Sequence, residues 1–320
     1  MNCAIVIRAF NEERHIGRLL EGILRQRIEN VEIVVVDSGS TDSTRDVVSQ
    51  FPAHIVSIAP EEFSFGRSLN RGVAATSSEL VVLASAHVYP DYDNWLERLI
   101  EPFADDRVAL TYGRQIGNER TRFSERQIFR QWFPEHGAGV QDHPFCNNAN
   151  AAIRRSLWEQ IPYDETLTGL EDIAWARRAI ERGYRVVYVP EAVIVHVHEE
   201  TPARIFRRYQ REAMALHRID PATRFNALDF LRLCTTSLLH DFAEARRQSM
   251  LWRQASSIIG FRLLQYWGTY RGFAHRSPAS SDLKHRFYYP RGSARAETGE
   301  ERLGRRIDYS TRKDRANVRK

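Results

Sequence analysis

Apolar residues in the first half of the chain fall in short continuous runs separated by longer amphipathic stretches, the alternation that builds a parallel sheet with crossover helices. CAIVIRA (Cys3 to Ala9) reads as a strand buried on both faces. Glu12 to Gln26 follows as an amphipathic helix, with Ile16, Leu19, Leu20, Ile23 and Leu24 on one stripe. EIVVVD is a second buried strand that closes on Asp37, and the turn SGSTDST offers N-cap residues to a helix reaching about Gln50. HIVSI is a short third strand, Gly66 to Ala75 a helix, and ELVVLAS (Glu79 to Ser85) a fourth, wholly apolar strand.

A helix containing Trp95, Leu96, Leu99 and Ile100 precedes the strand VALTYG. The pattern then turns irregular from Arg114 to Phe145, which predicts a mobile binding loop or lid. Periodicity returns with a helix around Ile173 to Arg182, the strand RVVYVP, and a further strand end in AVIVHVH. From Thr201 to Phe273 nearly everything reads as helix, with aromatics and arginines interleaved, most of the aromatics being core at helical spacing. An alternative lays the last amphipathic helix on a membrane through Trp252, Phe261, Tyr266 and Trp267. The chain thus divides into an α/β unit over 1–200, a helical region over 201–275 and a tail over 276–320.

A content of 42% hydrophobic and 27% charged residues is ordinary for a globular chain and supports a sizeable core. Cys3, Cys146 and Cys234 form no CxxC or close pair, which fits a reducing compartment. The N-terminus lacks the pattern of a signal peptide, and no run of ~18 apolar residues could span a bilayer. The expected location is the cytoplasm, with peripheral contact on the inner face of the cell membrane as an addition. The formal charge of +5 lies entirely between Arg291 and Lys320, where ten Arg/Lys face five Asp/Glu. Such a stretch reads as a solvated, disordered extension rather than a nucleic-acid-binding module, with attraction to an anionic membrane as the alternative.

In an open parallel sheet, ligands bind outside the carboxyl ends of the strands. Polar groups stand there in four places. They are Arg8-Ala9-Phe10-Asn11-Glu12-Glu13, Asp37-Ser38-Gly39-Ser40-Thr41-Asp42, Ser85-Ala86-His87, and Glu171-Asp172 opening a later helix. The Asp37 carboxylate, an acceptor only, suits the imide N–H of a pyrimidine base, and capping of the following helix is its alternative.

The order of these pieces, FNEE, DSGSTDST, the polar triad, NNANAAIRR and GLEDIAWARRAIERGY, resembles glycosyltransferase family 2 over about residues 2 to 200. The resemblance implies the GT-A fold, an open mixed α/β sheet flanked by helices, here with a C-terminal helical extension. It implies inverting transfer of one sugar from a UDP-, dTDP- or GDP-sugar to a hydroxyl of a glycan or lipid-linked acceptor, in bacterial surface polysaccharide synthesis. Asp37 and the backbone near Phe10, Asn11 and Glu12 then hold the base.

Where the family usually carries a DxD motif for the metal on the donor diphosphate, this chain has Ser85-Ala86-His87, similar to a bacterial subset that includes rhamnosyl- and capsule-type transferases. A divalent cation, Mn or Mg, is implied by the family, and the missing carboxylates leave its need open. Neutral imidazole suits Mn-like or Zn-like ions better than Mg²⁺. His196 and His198 follow the last strand, where family members often place a histidine near the metal, and positions i and i+2 of an extended segment face one side. The alternative for each histidine is a bond to a backbone carbonyl.

Arg67 lies in FSFGRSLNRG, which resembles a family loop with an arginine just before Asn70; Leu69 stands there instead, so Arg67 is either the diphosphate ligand or a surface charge. Glu171-Asp172 matches the acidic pair whose aspartate is the general base, expected near its ordinary pKa of about 4, and helix-end charge compensation is the alternative. Asn147, Asn148 and Asn150 carry amides that suit sugar hydroxyls. The QxxRW sequence of processive synthases is absent, which favours single-sugar transfer.

Three other readings compete. A nucleotidyltransferase would carry a Gly-rich, Lys-containing loop after the first strand, and a dinucleotide enzyme a GxGxxG there; RAFNEE is neither. A non-catalytic glycan- or nucleotide-binding descendant of a transferase is suggested by the lost DxD and opposed by the intact Asp172.

Overall fold

In the computed structural model, residues 2–137, 139–274 and 303–309 are described. The chain opens with β1 (Cys3–Ala9), α1 (Ile16–Leu24), β2 (Glu32–Asp37), α2 (Thr44–Val48), β3 (His54–Ser57), α3 (Phe65–Ala74) and β4 (Leu80–Ser85), the alternation that the apolar runs predict. It continues through β5 (Val88–Pro90), α4 (Trp95–Ile100), β6 (Val108–Ile116), α5 (Phe123–Trp132), β7 (Gly139–Gln141) and β8 (Asn150–Arg154). Then come α6 (Arg155–Gln160), α7 (Glu171–Glu181) and β9 (Arg185–His196), and three long helices, α8 (Pro202–Ile219), α9 (Ala227–Arg247) and α10 (Leu251–Phe273).

One sheet runs β3-β2-β1-β4-β8-β6-β9-β5, with β7 on β9. β1 to β4 are parallel, β8 is antiparallel to both β4 and β6, and β9 runs parallel to β6. The carboxyl ends of β1, β2, β4, β6 and β9 therefore share one edge, and β8 and β5 begin there. Alternate residues feed two cores. Ile5, Ile7 and Val35 pack with Leu19, Leu20 and Trp95 on one face. Val6, Val34 and Val36 pack with Leu69 and Trp175 on the other. Burial on both faces is why these strands are apolar without alternation.

The segment from Arg114 to Phe145 is not the mobile lid that its irregular pattern predicts. β6 extends to Ile116, and α5 buries Phe123, Ile128 and Phe129. The buried guanidinium of Arg262 in α10 donates to both Asp241 oxygens in α9, at 2.8 and 2.9 Å, and to the Ser124 carbonyl at 3.4 Å, joining three helices. Much of what covers α5 comes from α8 to α10, far later in the chain, so no local pattern announces it.

RVVYVP and AVIVHVH form a single strand, β9, through Pro190. Pairing with β6 slips between Gly113↔Val189 and Gln115↔Ile194, a bulge that accommodates a residue without an N–H. A side chain at Gly113 would collide with the Ala192 carbonyl and the Asn150 amide, so the close approach requires glycine.

Most of the tail expected to be a solvated extension lies outside the described residues, but 303–309 departs from that expectation. Arg306 makes two bonds to the Asp91 carboxylate, at 3.1 and 3.0 Å, and the Tyr309 hydroxyl donates to the Pro90 carbonyl at 2.7 Å. Backbone bonds run from Asp93 N to Arg305 O and from Ile307 N to Asp91 O. This strap covers the turn that follows β5, a few residues beyond His87. The lipid-facing set expected on α10 is also revised. Phe261 and Tyr266 are buried, whereas Trp252, Ile259, Leu263 and Trp267 form the exposed stripe.

Candidate active site

The turns after β1 and β2 are laced together. Asn11, at φ 54°, accepts from Thr41 N at 2.8 Å through its side chain, and its own N–H donates to Ser40 Oγ at 2.9 Å. Glu12 N donates to Thr44 Oγ1 at 2.7 Å. Asp37 is buried at the end of β2, where it accepts from Arg45 Nη1 at 3.2 Å and from Ser40 N at 3.3 Å. The first turn of α2 takes its side-chain bond from Asp42, at 3.0 Å to Thr44 N, so capping does not depend on Asp37. Phe10, one residue past the Ala9↔Asp37 pairing, leaves its ring 53% exposed, a flat apolar face beside that carboxylate's strand.

α7 starts from Leu170 at φ 55°, a left-handed conformation that is costly for a leucine and places Glu171 and Asp172 in the first turn. Asp172 Oδ2 accepts from Asn148 N at 3.1 Å and Oδ1 from Ile173 N at 2.8 Å. Burial, reinforced by the neighbouring Glu171 charge, pushes the Asp172 carboxyl up to about 7 against those two N–H bonds and Arg8. The expectation of an ordinary aspartate near 4 is therefore corrected. Glu171 Oε1 is held by Arg8 Nη1 at 3.1 Å and by the Asn148 amide at 3.5 Å. Asn148 Oδ1 is buried without a partner.

Asn150 does not line a pocket. It is fully buried, donates to the Arg114 and Ala192 carbonyls at 3.1 and 2.8 Å, and accepts from Trp95 Nε1 at 2.8 Å. Its amide satisfies carbonyls that the β9 bulge would leave bare. Asn147 accepts from Ala149 N and shapes the same turn.

His87, His196 and His198 come together, with ring centroids 4.0 to 5.6 Å apart. Each Nδ1 faces an oxygen: His87 meets Glu12 Oε1 at 2.8 Å, His196 meets Gln115 Oε1 at 2.7 Å, and His198 meets Glu125 Oε1 at 2.6 Å. An acceptor at Nδ1 assigns the proton there and leaves Nε2 as the free lone pair, the orientation that metal-binding imidazoles adopt. Among the described residues His196 Nε2 is buried without a partner, and ligand atoms of the three rings lie within 4.8 Å of one another. None of the three rings is spent on a backbone carbonyl. Burial would raise the Glu125 pKa, but His198 and Arg208 hold it at about 2.

Ser85 is half-buried and the Ala86 side chain is buried, so Ala86 offers the site only backbone. Arg67 is engaged elsewhere, by Glu165 at 2.8 Å and the Glu62 carbonyl at 3.0 Å. The cations that stand near the acidic pair are instead Arg8 and Arg211. Gln115 and Glu125, which orient two of the histidines, come from the segment whose pattern predicts a loop, and nothing in the local sequence marks them.

Residues 4–161 match the family model described as Glycosyl transferase family 2. This span is similar to glycosyltransferase family 2. The matched span contains Asp37 and His87, while Asp172, His196, His198 and α8 lie beyond it. The chain is 29% identical over 197 residues to the O-antigen chain rhamnosyltransferase WbaN of Salmonella anatum, covering 58% of this chain and 62% of that protein. It is 28% identical over 223 residues to the O-antigen chain rhamnosyltransferase RfbN of Salmonella typhimurium, covering 65% and 70%. The chain thus spans just under two thirds of WbaN's length. Among solved structures, it resembles the mannosyltransferase PcManGT of Pyrobaculum calidifontis in complex with GDP-Man and Mn²⁺, at TM-score 0.59 and 19% identity over 86% of each chain. It also resembles S. aureus TarS in complex with UDP-GlcNAc, at TM-score 0.50 and 14% identity over 83% and 90%. These likenesses show the fold: a mixed sheet flanked by helices with a helical C-terminal region.

Proposed function

We propose that the chain is an inverting glycosyltransferase that moves one sugar from a nucleotide-diphospho-sugar to a hydroxyl of a glycan or lipid-linked acceptor in bacterial surface polysaccharide synthesis. The observation that carries this reading is Asp172, a buried carboxyl raised to near neutrality on the same sheet edge as Asp37 and three convergent imidazoles. The Salmonella relatives support the polysaccharide setting, and the sugar nucleotides in complex with the structural neighbours support the donor class.

Asp172 takes the proton of the acceptor hydroxyl while that oxygen bonds to the anomeric carbon. The bond from that carbon to the diphosphate oxygen breaks on the opposite face, and the nucleoside diphosphate leaves with both electrons. Asp37 accepts the base N–H, while Phe10, Asn11 and Glu12 form the wall beside it. Ser85-Ala86-His87 replaces the DxD motif. The donor set fits a divalent cation: three imidazoles with Nδ1 engaged and a buried, unpartnered Nε2 on His196. His87, His196 and His198 would hold it, and it would supply positive charge for the departing diphosphate. All-nitrogen ligation favours Mn-like or Zn-like ions over Mg²⁺.

Uridine or thymidine diphosphate is expected to raise the melting temperature, and Asp37→Ala to remove most of that rise. An unchanged rise in a folded Asp37→Ala protein places the base elsewhere.

Peripheral membrane contact through α10 belongs to the same reading. No described helix is long and apolar enough to cross a membrane. α10 carries no acidic residue, exposes Trp252 (92%), Ile259, Leu263 and Trp267, and has Arg253 and Arg271 near its ends. The chain is expected to co-sediment with anionic phosphatidylglycerol vesicles and to lose most of that binding in Trp252→Ser/Leu263→Ser. Sedimentation equal to wild type removes α10 as the contact.

A further inference from the structure

Arg211 is a guanidinium that the transferase chemistry above does not use. It projects from α8 onto the ring of Phe65, at the start of α3, with its Cζ 4.5 Å from the ring centre. Arg8 lies over the same ring at 5.0 Å and is already engaged by Glu171 at 3.1 Å. Among the described residues nothing hydrogen-bonds to the Arg211 guanidinium, and its Nε is buried without a partner. The neighbouring buried arginines differ in this respect. One turn earlier on α8, Arg208 shares the unpartnered Nε but has its Nη2 paired with Glu125 at 2.7 Å and Glu200 at 2.8 Å, and Arg262 is paired with Asp241, whereas no carboxylate among the described residues pairs with Arg211.

The place of this side chain is fixed by its own backbone. Thr168 Oγ1 donates to the Arg211 carbonyl at 3.1 Å, and a Cβ on Gly169 would stand 3.6 Å from Nε. The guanidinium therefore lies against the bend that leads through Leu170 into Glu171 and Asp172. A buried donor without a partner costs free energy, and a native structure keeps one where a ligand completes it. Five N–H donors in a planar fork match the oxygens of a phosphate group, and stacking on Phe65 holds the plane in advance.

We propose that Arg211 is an anion subsite that binds a phosphate group of a substrate next to the catalytic pair, with Phe65 presenting its guanidinium. The inference rests on the reading of Asp172 as the base. Phosphate reaches this end of the site from two sources, the diphosphate of the nucleotide-sugar donor or the phosphate of a lipid-linked acceptor.

The test uses the full chain as wild type, Arg211→Gln and Arg211→Lys. Each is titrated with uridine diphosphate, with uridine, and with a polyprenyl phosphate in detergent micelles. Arg211→Gln is expected to weaken uridine diphosphate or the polyprenyl phosphate by at least about tenfold, since the charge-assisted bonds to phosphate are lost. Arg211→Lys is expected to fall between the two, with uridine binding and melting temperature unchanged throughout. Loss confined to the nucleotide assigns the donor diphosphate, and loss confined to the lipid assigns the acceptor phosphate. Equal binding by wild type and Arg211→Gln in both phosphate titrations overturns the subsite alone. So does a parallel loss of uridine, which would mark a collapsed pocket. Wild-type protein that binds neither the polyprenyl phosphate nor any of uridine, thymidine and guanosine diphosphate overturns the transferase reading together with it.

Discussion

Replacing Asp172 by asparagine is expected to slow sugar transfer by at least about a hundredfold, because positioned general-base catalysis contributes roughly 10²- to 10⁴-fold and an amide cannot take the proton. Donor affinity is expected to stay, since Asp172 faces Asn148 and Ile173 rather than the Asp37 end. The raised pKa adds a pH signature. Below about 7 the base is increasingly protonated, so kcat/KM of the wild type is expected to fall about tenfold per pH unit on that limb and to level off above it.

Stability runs the other way. The folded pKa lies above the ordinary value of about 3.9, so the protonated form favours folding. That stability is fully present below about pH 4 and is lost as the pH rises through about 7. Asp172→Asn does not titrate, so the melting advantage of wild type over this variant is expected to shrink between pH 5 and pH 8. Loss of one of the two backbone N–H acceptors is common to both pH values and does not alter the trend. If Asp172 were only a helix-end charge, its replacement would cost about 0.3–1 kcal/mol of stability and leave turnover near wild type.

The second large effect is expected at the histidines. Co²⁺ or Mn²⁺ added to the metal-free protein should bind more tightly than Mg²⁺, with His196→Ala removing most of the difference. Gln115→Leu keeps all three imidazoles and removes only the oxygen that orients His196, which is expected to cost about 10–100-fold in affinity. The pair of variants separates ligation from a packing defect, since His196 is buried and its truncation leaves a void. Calorimetric titration, or the visible absorbance of bound Co²⁺, reads both. Strict preference for Mg²⁺ with no response to either change contradicts the imidazole site.

The strands were legible because a parallel sheet is apolar on both faces and ends in polar residues; Asp37 and Ser85 to His87 follow from that rule, whereas Glu171-Asp172, which open α7, stood out through their resemblance to the family's acidic pair. The raised pKa of Asp172 was not legible, because it depends on burial beside Asn148 and Glu171, and a sequence does not state which segments enclose a carboxyl. α5 escaped for a related reason. Its apolar positions Phe123 and Ile128 are covered by α8 to α10, and Phe129 joins the sheet-face core with Tyr112 and Phe133, so a short helix rich in Arg and Gln reads as a loop. With α5 and the end of β6 went Glu125 and Gln115, and with them the reason that the three imidazoles point one way. Asn150 was assigned to the sugar because its amide chemistry allows it; the bulge that claims that amide exists only once β6 and β9 are paired. The strap at 303–309 sits in a charged tail, and its contacts, Arg306 with Asp91, Tyr309 with Pro90 and the backbone bonds to Asp91 and Asp93, depend on tertiary pairing that the local sequence does not state.

The central claim is inverting transfer from a nucleotide-sugar, and the configuration of the first-formed product tests it without knowledge of the acceptor. Many transferases slowly hydrolyse their donor when water replaces the acceptor hydroxyl. Proton NMR of the sugar released from UDP-, dTDP- and GDP-sugars, recorded before mutarotation, is predicted to show the anomer opposite to the donor, with release suppressed in Asp172→Asn. A first-formed sugar with the donor's own configuration, or release that Asp172→Asn leaves untouched, would contradict the account.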